Sequence, residues 1–248
     1  AVAPTAVVAV HGPSDVTWCD RHSTRAKRAH ASGAGNLVAA TDGLPLLLIS
    51  TDNVFDGRRR SNGESETTAP ANAYGHAKLA AEEAVLASGR ALVLRVSLVY
   101  GWNPDGLRPD FLTACVSRLR AGLPVAAPFD HWNTPVAVDD VAAWSAALLP
   151  SGRAGVLHLG GPQRLSRYEW ARRIAAELDV DPGLVRPVAK AESAYACRPD
   201  NACLHSEIAD ELPELRGMRP MSVEVGTRLA AARAAAGHRR GPEATSRY

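Results

Sequence analysis

Hydrophobic residues recur along the chain in short, strand-sized runs that are separated by polar turns. Continuous apolar runs of this length are typical of strands buried on both faces of a parallel sheet. The runs are Ala6–Val10, Pro45–Ile49, Ala91–Val99 and Gly155–Leu159. Stretches with helical character lie between and after them: Tyr74–Ala87, Pro109–Gly122, Val138–Leu149, Ser166–Leu178 and Ser222–Ala236. Strands that alternate with helices in this way predict an α/β fold built on a parallel sheet.

Two polar stretches next to these predicted elements form the candidate site. Ser50-Thr51-Asp52-Asn53 comes directly after the run Pro45–Ile49, at the strand end where open α/β sheets bind ligands. Tyr74 and Lys78 are four residues apart at the start of a helix, so both side chains project from one face. A neighbouring ammonium favours the phenolate, and we therefore expect Lys78 to lower the pKa of Tyr74 below its usual value of about 10. With the Thr51 hydroxyl holding a substrate oxygen, this layout predicts carbonyl reduction.

Three segments of the sequence carry a family resemblance. They are STDNVFDG at 50–57, AYGHAKLAAEEAVL at 73–86 and ALVLRVSLVYG at 91–101. Thr51 with Tyr74-x-x-x-Lys78 resembles the active site of extended short-chain dehydrogenases/reductases. At full length, the three segments are similar to the dTDP-4-dehydrorhamnose reductase family and its sugar-nucleotide-binding relatives. The resemblance extends from Pro4 to about Leu229. A lone Tyr-x-x-x-Lys spacing occurs by chance in most proteins, so the resemblance depends on all three segments together.

The resemblance implies a fold and a reaction. The fold is a Rossmann-type doubly wound parallel sheet, with its N-terminal part missing, and a small C-terminal substrate-binding lobe. We expect residues 1–125 to form the partial NAD(P)-binding domain and 126–240 mainly the lobe, with a return to the sheet near 136–160. Residues 241–248 are expected to be a tail. The reaction is hydride transfer from NADPH or NADH to a dTDP-4-keto-6-deoxysugar.

The same resemblance assigns roles to residues. Tyr74 would protonate the substrate oxygen, Lys78 would lower the tyrosine pKa and hold the nicotinamide ribose, and Thr51 would bind the carbonyl. The expected cofactor-binding residues are Gly12, Pro13, Ser14, Tyr74 and Lys78. The expected substrate-binding residues are Ser50, Thr51, Asn53, Leu98 and Arg198. An ordinary turn, with Ser14 or Asp15 capping the next helix, explains residues 11–16 equally well.

Asn53 and Leu98 depart from the family pattern, which commonly has Tyr and Trp at these positions. Loss of the Trp removes an aromatic wall and an N–H donor. These departures leave open a substrate that is a different deoxysugar from the one in the family name.

The glycine-rich turn that receives the cofactor pyrophosphate is not found ahead of Ala6. Gly33-Ala-Gly35 follows the charged helical stretch Thr24–Arg28 rather than a strand. A dinucleotide-binding glycine turn must follow a strand, so we interpret Gly33-Ala-Gly35 as part of a helix. Either an N-terminal βαβ unit is missing from this sequence or the protein lacks its cofactor cradle. The first explanation, or completion by another chain, is favoured because loss of a central strand exposes an apolar sheet edge. We expect residues 1–248 alone to bind NAD(P)H far more weakly than a dTDP-sugar.

A rival function is a non-catalytic sugar-nucleotide-binding or regulatory protein on a decayed reductase fold. Net charge is +2, which argues against nucleic-acid or membrane partners, and no apolar run reaches the roughly 18 residues of a membrane span. We expect a cytoplasmic protein with reduced cysteines and no metal site, and a homodimer is one oligomeric state left open. His131 is expected to be a surface turn residue and His158 a core histidine.

Overall fold

A computed structural model describes residues 4–41, 43–103 and 109–239. The predicted tail 241–248 lies outside these ranges, as does part of the stretch 102–108, whose Gly and Pro residues predict a loop. None of the helices within the ranges is long and apolar enough to cross a membrane. The strands are β1 (Val7–Ala9), β2 (Leu46–Thr51), β3 (Ala91–Val96), β4 (Val99–Tyr100), β5 (Val125–Pro128), β6 (Trp132–Asn133), β7 (Val136–Ala137), β8 (Gly155–Leu159), β9 (Leu165–Ser166), β10 (Val185–Val188) and β11 (Asn201–Ala202). The α-helices are α1 (Val16–Arg21), α2 (Ser23–Lys27), α3 (Gly33–Ala40), α4 (Ala73–Leu86), α5 (Phe111–Arg120), α6 (Val138–Leu148), α7 (Arg167–Glu177) and α8 (Val223–Arg239).

The four predicted strands form one sheet, which confirms the α/β class. Its order is β1-β2-β3-β8, and every neighbouring pair is parallel. Side chains of β2 alternate between two cores: Leu46 and Leu48 pack in the cluster that includes Ala81 of α4. Leu47 packs on the other side in the cluster that includes Trp144 of α6. Helices therefore cover both faces, as the doubly wound prediction requires.

β1 lies at the edge of this sheet and pairs only with β2 in the described chain. The side chains of Val8 and Val10 are 41% and 73% exposed. Apolar residues are therefore exposed at and just after this edge strand.

A third core joins α5, α7 and α8 to the parallel pair β5–β10. Its centre is Trp170, which is 1% exposed and whose ring centroid lies 5.1 Å from that of Tyr100 and 5.3 Å from that of Phe111. Ser166 and Glu169 have the sequence spacing that predicts a capping box, and they exchange the hydrogen bonds of one at the start of α7. This core includes α5, which precedes the predicted boundary at 125, and the division into 1–125 and 126–240 stays a prediction.

The polar and charged composition of residues 57–70 predicts an exposed loop. The structure corrects this prediction, because the loop is attached to the protein by hydrogen bonds. Asn62 is 2% exposed, and its N–H donates to Cys203 O at 3.0 Å. The Glu64 carboxylate accepts from His158 N at 2.8 Å and from Ser206 Oγ at 2.6 Å. His158 itself is completely buried, as expected of a core histidine.

A buried ion pair joins α4 to the sheet. Glu82 of α4 is 1% exposed and Arg95 of β3 is 5% exposed. Arg95 Nε donates to both Glu82 oxygens at 3.1 and 3.2 Å, and Arg95 Nη2 donates at 2.7 Å. The hydroxyl of Ser50 at the end of β2 also donates to Glu82, and Arg95 Nη1 lies 3.4 Å from His158 Nε2 on β8. One carboxylate thus connects three strands and a helix.

Removal of this carboxylate is expected to destabilise the fold strongly. Glu82→Gln leaves the Arg95 charge buried without its counter-ion, and the free energy of unfolding should fall by about 3–5 kcal/mol. The double variant Glu82→Met/Arg95→Met should regain most of that loss. Urea denaturation followed by circular dichroism measures both. Glu83→Gln, at the exposed neighbouring position, is the control, and an equal loss there would contradict the assignment.

Candidate active site

The carboxyl end of β2 carries the turn that the sequence singles out. A 3₁₀ turn, Asp52–Val54, follows Thr51 directly. Thr51 Oγ1 accepts from the N–H and from Nδ2 of Asn53, both at 3.2 Å, and donates to Asp52 Oδ1 at 3.1 Å. All three residues are less than one tenth exposed and line the same cavity. A hydroxyl and a carboxylate therefore stand together at the ligand-binding edge of the sheet.

The Asn53 side chain connects this turn to the helix that carries Tyr74. Asn53 Nδ2 donates to Asp52 Oδ1 at 2.7 Å, and Asn53 Oδ1 accepts from Asn72 Nδ2 at 3.0 Å. Asn72 in turn caps α4 by accepting from Gly75 N at 2.8 Å. A Cβ at Gly75 would overlap the Asn53 carbonyl oxygen, so the helix reaches the turn only with glycine there. Both ends of the Asn53 amide are used within the chain, and its sugar contact stays a prediction.

Tyr74 and Lys78 both line the cavity, as their spacing on α4 predicts. The pKa of Tyr74, however, is raised well above its usual value, first by burial and then by the Asp52 carboxylate, while a hydrogen bond with Thr51 acts in the opposite direction. The expected lowering of the Tyr74 pKa is therefore wrong for this structure, because desolvation of the phenolate dominates. The phenol stays protonated at neutral pH, which suits a proton donor.

Lys78 is anchored from beneath the cavity. Its Nζ donates to Ile49 O at 2.5 Å. Burial lowers the pKa of Lys78 to about 8, and Glu82, one helical turn further on, opposes the shift. Ser50 also lines the cavity, but its hydroxyl donates to Glu82. The predicted substrate contact of Ser50 would have to compete with that bond.

The segment after β1 forms another part of the cavity wall. Gly12 and Ser14 line the cavity, whereas Pro13 is not among the lining residues found. Asp15 caps α1 by accepting from Trp18 N at 3.0 Å, so the ordinary capped turn is present as well. Gly12 has a φ of +93°, and a Cβ there would overlap the His30 ring. The need for glycine at this position thus comes from packing inside the protein, and the cofactor contacts stay a prediction.

His30 is a cavity residue that the sequence reasoning missed. It is 2% exposed and lies in a π-helical turn, Arg28–Ser32, of a type often found at functional sites. Its ring packs edge-on against Tyr74 at a centroid distance of 5.7 Å. Nε2 lies 3.0 Å from Pro13 O and must donate to it, which leaves Nδ1 as an acceptor. Burial first, and then Lys78, lower the pKa of His30 to about 4, so the ring is neutral.

The wall on the lobe side contains the predicted Leu98 and Arg198 and two residues that were missed. His131, expected on the surface, is 1% exposed and lines the cavity. Its Nδ1 lies 3.0 Å from Pro199 O, and its ring centroid lies 5.6 Å from that of Tyr195. No local signal shows this burial, because the covering segment is distant in sequence. Arg167, the first residue of α7, is the second missed residue and also lines the cavity.

Unsatisfied polar atoms are concentrated around this cavity. Six buried side-chain atoms have no hydrogen-bond partner within the described ranges, and five of them belong to residues that line it. The five are His11 Nδ1, His30 Nδ1, His131 Nε2, Asn133 Oδ1 and Arg167 Nε. Proteins satisfy nearly all of their buried polar groups. This concentration around a cavity of about 460 Å³ indicates a binding site for a polar ligand.

Comparisons with known proteins give the cavity a family context. A family model described as the RmlD substrate binding domain matches residues 1–220. The dTDP-4-dehydrorhamnose reductase of Mycobacterium tuberculosis (strain CDC 1551 / Oshkosh) is 34% identical over 218 residues, which cover 84% of this chain and 69% of the relative. The Bos taurus protein named methionine adenosyltransferase 2 subunit beta is 32% identical over 195 residues, 75% of this chain. The chain spans only 58% of that protein's length.

A solved structure supports the same fold. The dTDP-4-dehydrorhamnose reductase of Bacillus anthracis str. Ames, in complex with NADP, matches with a TM-score of 0.81. The match covers 93% of this chain and 81% of the other at 24% sequence identity. A likeness at this identity shows the Rossmann-type fold.

The pKa of Asp52 gives a pH-dependent prediction. Burial raises it to about 6, above the unfolded value of about 3.9. Protonated Asp52 therefore contributes stability at acidic pH that is lost as the pH rises from about 4 through 6. Asp52→Asn keeps an acceptor oxygen and removes the charge. Relative to the unsubstituted protein, the variant should gain up to about 3 kcal/mol between pH 4 and pH 7.

Urea denaturation at pH 4, 5, 6 and 7 measures this gain. Asp56→Asn, outside the cavity lining, is the matched control. If Asp52→Asn and the control change the free energy of unfolding equally at every pH, burial does not disfavour the charged form of the Asp52 carboxyl as proposed.

Proposed function

The chain belongs to the RmlD substrate binding domain family, and we propose that it is an NAD(P)H-dependent reductase of a dTDP-4-keto-6-deoxysugar. The observation that carries the proposal is the placement of Thr51, Tyr74 and Lys78 around one cavity at the carboxyl end of β2. A hydroxyl, a protonated phenol and a lysine in this arrangement suit reduction of a ketone.

The residues at the β1 side of the cavity fit the nicotinamide end of the cofactor. NAD(P)H supplies the hydride when bound. Lys78 and Tyr74 would hold the ribose, and Gly12 and Ser14 would contact the nicotinamide side, since all four line the cavity. The bound NADP named for the Bacillus anthracis structure supports this assignment.

The proton chemistry is assigned to Tyr74 and Thr51. As the carbonyl carbon gains a hydride, its oxygen gains negative charge and needs a proton. Thr51 would orient that oxygen, turning its hydroxyl away from Asp52 Oδ1, to which it now donates at 3.1 Å. Tyr74 would give its proton to the oxygen, completing the alcohol. The raised pKa of Tyr74 keeps the donor protonated, and Lys78 would stabilise the transient phenolate.

The lobe side of the cavity suits a hydroxyl-bearing sugar. His131 Nδ1 faces a carbonyl oxygen, so this nitrogen carries the proton and the unpartnered Nε2 is an acceptor. Asn133 Oδ1 is a second unpartnered acceptor. Both would accept from substrate hydroxyls. Leu98 supplies an apolar contact where the family commonly has Trp. The Asn53 amide is already hydrogen-bonded to Asp52 and Asn72. These two differences favour a deoxysugar other than that of the named relatives.

The cellular setting forms a further part of the proposal. A net charge of +2 supports a small-molecule substrate rather than nucleic acid or membrane as the partner. We place the protein in the cytoplasm, with residues 1–125 as the cofactor side and 126–240 as the substrate side. A homodimer completes the proposal, and light scattering tests it.

A second candidate function is that of a non-catalytic sugar-nucleotide-binding or regulatory subunit. The similarity to a protein named as a subunit of methionine adenosyltransferase 2 favours it. The joint presence of Thr51, Tyr74 and Lys78 at the cavity favours the reductase, because a pure binder needs no proton donor.

Tyr74→Phe tests the proposed chemistry. It removes the proton donor but keeps the ring that packs against His30, so turnover of the 4-keto sugar should fall by about 10² to 10⁴ while dTDP affinity changes little. NADPH oxidation and calorimetric titration give the two values.

Tyr168→Phe, on the lobe helix α7 and outside the cavity lining, serves as the control. Unchanged turnover in Tyr74→Phe would remove Tyr74 from the mechanism. Tight dTDP-sugar binding without any turnover in the unsubstituted protein would favour the second candidate.

A further inference from the structure

Two buried side-chain amides, those of Asn72 and Asn53, lead to the hydroxyl of Thr51. Asn72 is 5% exposed and Asn53 is 8% exposed. Asn72 Oδ1 accepts from Gly75 N at 2.8 Å. Asn72 Nδ2 donates to Cys197 O and to Asn53 Oδ1, each at 3.0 Å. Because a backbone N–H only donates and a carbonyl oxygen only accepts, the two main-chain groups fix which end of the Asn72 amide faces Asn53.

The orientation of Asn72 in turn fixes the orientation of the Asn53 amide. Since Asn72 presents an N–H, the group of Asn53 that faces it must be the oxygen, and Nδ2 lies at the other end. The two hydrogens of this Nδ2 have two acceptors, Asp52 Oδ1 at 2.7 Å and Thr51 Oγ1 at 3.2 Å. Every N–H of the two side-chain amides is thus used, and a flip of either amide would bring like groups together.

This arrangement leaves the Thr51 hydroxyl able only to donate. Its oxygen accepts from Nδ2 and from the backbone N–H of Asn53, both at 3.2 Å, and a hydroxyl oxygen has two lone pairs. Only the proton remains, and Asp52 Oδ1 accepts it at 3.1 Å. The same carboxylate oxygen accepts from Asn53 Nδ2 at the shorter distance of 2.7 Å. It therefore keeps a partner when the Thr51 proton turns towards a ligand.

We infer that Asn53 is a positioning residue that fixes the Thr51 hydroxyl as a hydrogen-bond donor to the substrate carbonyl oxygen. The inference deepens the proposed function and rests on it for the ketone. A ketone oxygen accepts hydrogen bonds and cannot donate them, so a hydroxyl restricted to donation matches it. A donor that is oriented before the reaction also stabilises the negative charge that this oxygen gains. Asn72 acts one step further away, by holding the Asn53 amide.

Direct contact of Asn53 with the sugar is the competing role. Such a contact would have to replace a bond that the amide already makes to Asn72, Asp52 or Thr51. Asn53 also stands where the family commonly has Tyr, a side chain without an amide. Orientation of Thr51 by a side-chain amide is therefore a property of this chain rather than of the family pattern.

A double-variant cycle tests the inference, with NADPH oxidation by the natural protein as the measurement. Thr51→Val should lower kcat for the 4-keto sugar by about 10²- to 10³-fold, as for loss of one donor to a developing oxyanion. Asn53→Leu is close in volume and should lower kcat by about 10-fold with KM nearly unchanged, because the donor stays but is misoriented. In the Thr51→Val background, Asn53→Leu should lower kcat by less than about twofold.

Asn36→Leu makes the same substitution at an exposed position on α3 and should leave kcat and KM unchanged. Equal losses from Asn53→Leu with and without the Thr51 hydroxyl would overturn the inference. A rise in KM with kcat unchanged would also overturn it, since that is the result expected of a direct sugar contact.

Asn72→Ser is the second variant if Asn53→Leu does not fold. Serine keeps the helix cap at the start of α4 but has no amide with which to hold Asn53. The variant should lower kcat several-fold when Thr51 is present and have little effect in the Thr51→Val background. Unchanged kcat in Asn72→Ser, with Asn53→Leu unfolded, would overturn the inference.

Binding without cofactor separates the inference from the proposed function. The probes are dTDP-4-keto-6-deoxyglucose and dTDP-4,6-dideoxyglucose, which lacks an oxygen on carbon 4. Calorimetric titration should show that the unsubstituted protein prefers the keto sugar and that Asn53→Leu reduces this preference several-fold. A protein that behaves so but reduces no keto sugar loses the function and keeps the inference. A protein that reduces the keto sugar with equal losses in both backgrounds keeps the function and loses the inference, and binding of neither sugar would overturn both.

Discussion

The buried Glu82 carboxylate is the constraint on which the site depends. It accepts from Arg95 through three short contacts and from the Ser50 hydroxyl. Because it lies one helical turn beyond Lys78, it fixes the rotation of α4 and with it the face that carries Tyr74. Arg95 extends the connection to His158 on β8. Helix α4 is thus held against the sheet by a buried ion pair, and removal of either partner alone would leave the other charge buried and unpaired.

The cavity above this network is constructed differently. Beneath it Glu82 and Arg95 pair with each other, whereas around it, within the described ranges, buried atoms of Arg167, Asn133 and three histidines have no hydrogen-bond partner. Burial of such groups opposes folding, and a polar ligand that supplies the missing partners would relieve the penalty. In the proposed function, the acceptor atoms of His131 and Asn133 would bind sugar hydroxyls. Leu98 lacks the aromatic ring and N–H donor of the Trp that the family commonly has, and the Asn53 amide is hydrogen-bonded to Asn72. Both differences lie in the part of the cavity that would contact the sugar.

The fold and the centre of the site could be predicted from sequence because their signals are local. Apolar runs marked the four strands, Ser166 and Glu169 marked the start of α7, and Thr51, Tyr74 and Lys78 lay within recognisable segments. What failed depends on distant residues. His131 is buried by the segment around Pro199, and the 57–70 loop is held by residues beyond 202. The Tyr74 pKa rises because of burial, which no spacing between two residues can reveal.

The central claim is that this cavity transfers a hydride to a sugar-nucleotide ketone. The most direct measurement is mass spectrometry of the sugar product after incubation of the natural protein with dTDP-4-keto-6-deoxyglucose and NADPH that carries deuterium at the transferable position. The account predicts an alcohol with a single deuterium on carbon 4. Tight binding of the keto sugar with no deuterium incorporation would contradict it.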